Sequence, residues 1–176
     1  YVALGAGIKS ATSAALDLEQ ALAGVAAVGE IDRSTEEFRK LSAAVQEGSR
    51  QFTSLEKAAG LRELVASGLT ATQATQGLTT VLQLATAGEI GMGRAAEILV
   101  ASMSAFKIEA KDAVKVADAL TAAANASPAS IEDMGEAMKF IAPVASALKI
   151  PLNETSAALA LLANNGIRGG MAGRGL

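Results

Sequence analysis

The sequence predicts an all-α protein of about eight amphipathic helices joined by short Gly/Ser/Thr-rich turns, part of an elongated helical assembly. Three observations carry this. Hydrophobic residues make up 51% of the 176 while aromatic residues make up 3%, so alanine and leucine, the best helix formers, supply the apolar content. They recur at spacings of three and four, which gathers them on one stripe of a helix. The two-residue alternation of a half-buried strand is nearly absent.

The first helix is expected over residues 6–27. Ile8, Ala11, Ala15, Leu18, Leu22 and Val25 form its stripe, and Asp17 and Glu19 fall off it. Ser34 with Glu37, Thr53 with Glu56 and Thr70 with Gln73 each match a capping box, in which the two side chains satisfy orphan backbone N–H groups. They open helices expected at 34–47, 53–67 and 70–87. Helices at 92–105 and 110–125 follow. Ser130 with Asp133 and Asn153 with Glu154 are weaker starts, helped by acids near the positive helix end, for helices at 130–149 and 153–165. In the first of these, Ile131, Met134, Met138, Ile141, Ala145 and Leu148 make the stripe, and Glu132, Asp133, Glu136 and Lys139 lie off it.

Stops are expected at Gly29, Gly48, Gly68, Gly88 and Gly166, because glycine takes up the left-handed cap without steric cost. Pro143 removes the bond to the Lys139 carbonyl, and since the stripe stays in phase beyond it, a kink is expected rather than a break. The tail from Gly166 to Gly175, with Gly170 and Gly173 inside it, is expected to be a loop or a helix–loop transition. No strict repeat of 20–50 residues is visible, so a regular solenoid is not expected. The chain thus divides into an N-terminal helix continuing from an upstream rod (1–29), a helical core (30–165) and a glycine-rich segment leading downstream (166–176). Lacking an initiator methionine and stopping amid glycines, it is expected to belong to something longer.

Composition removes several functions. The formal net charge is −3 with both signs interspersed, whereas nucleic-acid binding needs a basic face to displace counterions. With no cysteine and no histidine, disulfides, Cys/His zinc sites and Ser-His-Asp catalysis are excluded. No run of about 18 apolar residues occurs, the nearest being 21–28 and 157–163, so no transmembrane helix is expected. No catalytic, metal or cofactor site is expected.

Two glycine motifs invite other readings. Gly91-Met92-Gly93-Arg94-Ala95-Ala96 fits G-x-G-x-x-A, with residues 81–84 as a candidate strand and Asp112 at the distance of a ribose contact. Residues 70–87 nevertheless form one capped helix and no second strand exists, which favours a helix–turn–helix junction. The segment 166–175 lacks the G-K-[ST] ending of a phosphate cradle. The acidic pairs Glu36/Glu37 and Glu132/Asp133 sit in first helical turns, where the macrodipole accounts for them. Met92, Met103, Met134, Met138 and Met171 are mostly stripe residues and are expected to fill core gaps, a partner-binding groove being the alternative.

Taken as a string, residues 63–88, 95–108, 112–148 and 154–176 resemble the core region of bacteriophage tail tape measure proteins. Val116-Ala117-Asp118, Ala142-Pro143-Val144-Ala145 and Asn165-Gly166-Ile167 are the most diagnostic pieces, and Leu18-Glu19 stands where that family commonly has Phe-Glu. The chain departs at Gly170, where a small polar residue is usual, and at Arg174, near which a threonine is usual. The resemblance implies a structural and assembly protein rather than an enzyme: a rod that sets tail length inside the tail tube and is ejected ahead of DNA. It implies several copies, a trimer favoured over a hexamer. The implied partners are tail tube, tail tip and tail assembly chaperone proteins, with host membrane reached through segments outside these residues. It places the protein in the virion tail lumen or tip, and in host cytoplasm during assembly. A membrane-active pore former or translocator is the alternative, although a basic polar face would be expected for it. Pro143, Gly166, Gly170 and Gly173 are the shape-setting candidates, and Ile131, Met134, Met138 and Ile141 the contact candidates.

Overall fold

The computed structural model describes residues 2–47 and 51–176, with side chains described from residue 13 onward. Among the described residues there are nine α-helices and no strand: α1 (Val2–Val28), α2 (Glu36–Gln46), α3 (Ser54–Ala66), α4 (Ala71–Gly88), α5 (Met92–Phe106), α6 (Ala113–Asn125), α7 (Ile131–Ala147), α8 (Leu152–Asn164) and α9 (Gly169–Gly175). A 3-10 turn over Ala110–Asp112 precedes α6, so the helix expected from residue 110 begins as a tighter turn.

The helices stack in two rows. Odd-numbered helices pack in order, α1 on α3, α3 on α5, α5 on α7 and α7 on α9, and the even row runs α2, α4, α6, α8. A degenerate repeat underlies the stack. N-caps of the odd row fall at Thr53, Gly91, Ser130 and Arg168, at intervals of 38, 39 and 38 residues. Close approaches keep a similar offset: a Cβ on Gly135 would press on Ile98, and one on Gly173 on Ala137. This is solenoid architecture, in which each helix pair touches mainly its neighbours, and it corrects the expectation drawn from the absence of a strict sequence repeat. The chain exposes 9671 Å², against roughly 7,900 Å² for a compact globule of this mass, as suits an elongated stack.

The turns explain why the repeat is hard to see. Six helices end with a residue in the left-handed region followed by an aliphatic one: Glu30-Ile31, Gly68-Leu69, Glu89-Ile90, Lys107-Ile108, Lys149-Ile150 and Gly166-Ile167. In each, the aliphatic residue's N–H reaches back five residues to a carbonyl at 2.8–3.4 Å, and the left-handed residue's N–H reaches back three. That is the Schellman motif. After four of these turns, α4, α5, α8 and α9 have their N-cap immediately beyond the aliphatic residue, at Thr70, Gly91, Pro151 and Arg168. One side chain therefore closes one helix and precedes the cap of the next.

Several expected boundaries move accordingly. The left-handed residues are Glu30 and Glu89, not Gly29 and Gly88, while Gly68 and Gly166 hold that conformation as expected. The stop at Gly48 lies outside the described residues. Thr35, not Ser34, caps α2, and Ser34 bonds instead to Asp32. Thr53, Thr70 and Ser130 form complete capping boxes with Glu56, Gln73 and Asp133. Pro151, rather than Asn153, precedes α8. The glycine-rich tail is helical over α9, because its glycines permit a close approach to α7 that repays their low propensity. Residues 81–84, the candidate strand, lie inside α4.

The core is continuous between the rows. Leu41, Leu61, Leu84, Leu99, Leu120, Met134 and Leu159 are its largest fully buried side chains. Alanines at the helix crossings, Ala74, Ala95, Ala96 and Ala137 among them, are also fully buried. Small residues at crossings let helix axes approach toward the short end of the usual 8–10 Å range.

Candidate assembly surface

The stripe of α7 faces inward. Ile131, Met134, Met138 and Ile141 are at most 4% exposed and belong to the chain's own core. Of the methionines, Met92 and Met103 are also buried, and Met171 is exposed. Pro143 sits on the exposed side of α7, which runs unbroken through it. Beside it, Phe140, Val144 and Leu148 form a second stripe at spacings of four, directed outward.

Glycines fix α9 on α7. Gly166 supplies the left-handed turn after α8 with φ +83°. A Cβ on Gly170 would stand 3.1 Å from the Phe140 ring, and one on Gly173 would stand 2.8 Å from Ala137 Cα. Arg174 lies over the Phe140 ring at 4.7 Å, a cation–π contact that closes the end of the stack.

A charge cluster ties α5 to α7. Arg94 donates to both carboxylate oxygens of Glu132 at 2.7–3.0 Å, to Glu97 at 2.6 Å and to Glu136. Lys139 joins Glu136 at 2.9 Å and Glu97 at 3.4 Å. Hydrogen bonding by Glu132 raises the Arg94 guanidinium further above its already high range. The Arg94 bond holds the Glu97 carboxyl below its usual range, and Lys139, then Arg94, do the same for Glu136. The residue that a nucleotide-motif reading would place at a pyrophosphate is thus saturated by carboxylates. Sequence spacing hinted only at Arg94–Glu97, three apart; Glu132 and Glu136 arrive through stacking. Lys57 was also missed: nearly buried, it donates to the Glu47 carbonyl at 2.8 Å and closes the end of α2.

Between α6 and α8 runs a groove of about 840 Å³, with Ala119, Ala122, Ala157 and Ala160 along its walls and Leu161 at its lip. Ser156 Oγ lies buried there, one of two buried side-chain oxygens among the described residues without a hydrogen-bond partner. No described helix is long and apolar enough to cross a membrane, and no described acidic residues gather into a metal-holding group. What this arrangement offers is surface for other helices.

Comparison with known proteins agrees in character. The sequence pattern of the family described as "Phage-related minor tail protein" matches residues 35–176. The chain belongs to that family. It is also 35% identical over 122 residues to the "Tape measure protein" of Pneumococcus phage Dp-1, covering 69% of this chain and 11% of that protein. It is 30% identical over 151 residues to the "Probable tape measure protein" of Escherichia phage P2, covering 85% of this chain and 18% of that one. The chain therefore spans less than a fifth of the length of the curated relatives it matches. The family's match takes in the stack from α2 to α9, including the Arg94 cluster and the glycine-seated α9. No solved structure matches the chain.

Proposed function

We propose that this chain is a folded section of a phage tail tape measure protein, acting in tail assembly as part of the ruler that sets tail length. The observation that carries this reading is the family match over residues 35–176, joined by two relatives named as tape measure proteins. An all-helical stack without a described metal cluster suits a structural role, and the proposal includes no catalysis. It includes assembly in several copies, contact with tail tube, tail tip and chaperone proteins, residence in the tail lumen or tip, and exit ahead of DNA. The alanine-rich core buries little apolar area per residue, at roughly 25 cal/mol per Å², which favours unravelling on exit. A high unfolding midpoint for the isolated chain counts against that last element.

The stack sharpens the test. A continuous helix advances about 1.5 Å per residue, so 38 residues span roughly 57 Å. A stacked helix pair advances only by one helix spacing, about 10 Å. An in-frame deletion of residues 131–168 is expected to yield shorter tails by electron microscopy. Shortening near 10 Å means the stack persists inside the tail, and shortening near 57 Å means it opens into helix there. Tails of unchanged length overturn the ruler role for this section.

A further inference from the structure

The buried residues of α1, Leu22, Val25 and Ala26, lie in its last two turns, and α1 packs on α3. Before them the helix stands clear of the stack: residues 13–17, 19 and 20 are exposed, and Leu16 is 60% exposed. The sequence stripe of Ile8, Ala11, Ala15 and Leu18 continues along this projecting part, so an amphipathic helix extends from the structure with an apolar side uncovered.

The α6–α8 groove is its complement. Both walls are parallel helices of 13 residues, giving a trough of about 20 Å. The projecting part of α1, residues 2–20, spans roughly 28 Å and fills it. Alanine walls admit a helix axis to within about 8 Å. Ser156 Oγ, buried and unpartnered, waits there for a polar group that a Ser- and Thr-bearing helix can bring; α1 carries Ser10, Thr12 and Ser13. The same chain cannot supply its own α1, which is seated on α3, with two further odd-row helices, α5 and α7, between it and the end of the stack.

We propose that the α6–α8 groove receives the projecting part of α1 from a second copy of this chain, head to tail. The contact is heterologous, the arm of one copy in the groove of the next, so it leaves a free arm and a free groove and propagates. Covering about 20 Å of groove buries on the order of 800 Å² in total, the weak end of specific contacts, so association appears at high-micromolar concentration. The inference does not rest on the tail-assembly reading.

Sedimentation velocity with light scattering tests it. The intact chain is expected to self-associate with rising concentration. The chain lacking residues 2–20 keeps the groove and loses the arm, and Ala157→Glu keeps the arm and loses the groove. Each alone is expected to remain monomeric, and an equimolar mixture to form a one-to-one dimer that grows no further. Ala122→Glu, on the opposite wall, repeats the groove lesion should Ala157→Glu fail to fold, with circular dichroism reporting folding. A monomeric intact chain overturns the proposal. So does undiminished association of a folded groove variant, or a mixture that stays monomeric, the result expected of symmetric α1–α1 pairing.

Discussion

Gly173 on α9 lies directly against Ala137 on α7: a Cβ at 173 would stand 2.8 Å from the Ala137 Cα and carbonyl carbon, and closer still to its oxygen. The obstacle is backbone, which cannot turn aside as a side chain does. Gly173→Ala is therefore expected to lift α9 off α7, costing about 1–3 kcal/mol of overpacking and limited by the cost of undocking α9 altogether. Hydrogen exchange at residues 169–176 should accelerate strongly. Gly170→Ala, which meets only the edge of the Phe140 ring at 3.1 Å, should do less. Unchanged exchange in Gly173→Ala would show that α9 is seated differently.

Lys107 holds φ +55° at the end of α5, in a region where a Cβ costs roughly 1–2 kcal/mol. Lys107→Gly removes that strain but gains chain entropy in the unfolded state, so a net stabilisation of about 0.5–1 kcal/mol is expected. Gly68→Ala, the reverse change at φ +88°, should destabilise by a similar amount. Urea unfolding of both variants checks the pair, and equal signs would refute the argument.

Arg94 and its carboxylates predict a pH-dependent contribution. Glu97 and Glu136 have folded-state pKa values below the ordinary 4.5. Their bonds to Arg94 therefore stabilise the fold above the unfolded value and are lost as pH falls through the depressed folded values. Arg94→Met should cost about 1–2 kcal/mol at pH 7, as partly exposed charged hydrogen bonds do. The gap from the parent chain should narrow toward pH 3. Thermal unfolding across that range decides it; a constant gap would mean that Arg94 acts through packing of its stem alone.

Pro143 leaves the Lys139 carbonyl of α7 without its intrahelical donor, on the exposed side of a helix that continues past it. We propose that it bends α7. Pro143→Ala should restore the bond, raise stability by about 1–3 kcal/mol and change the solution scattering profile. An unchanged profile would remove Pro143 from the shape-setting positions.

The helices were legible because each encodes a stripe and most encode a start, Thr53 and Thr70 with their partners being the clearest. The stacking was not. Its period is carried by a left-handed residue plus an aliphatic one, and at four of six turns the left-handed residue is Glu or Lys. Sequence reasoning assigns that conformation to glycine, so Gly29 and Gly88 drew the stops that belong to Glu30 and Glu89, and Lys107 and Lys149 carried no signal. The tail failed differently: glycine propensity argued for a loop, while α9 exists through its seat on Ala137, a contact between residues 36 apart that no local pattern reveals. The groove between α6 and α8 was equally hidden, since alanines at a surface and alanines in a core read alike.

The two-row order has a consequence for how the chain reaches its fold. Each helix finds its main neighbours one or two elements earlier, so few contacts close long loops and folding should be fast. During synthesis, each emerging pair meets a completed surface on which to settle, and the structure grows outward from its first hairpin in the direction of translation. Such a chain never needs its last residues to begin folding its first, and a very long polypeptide built this way can mature while most of it is still unmade.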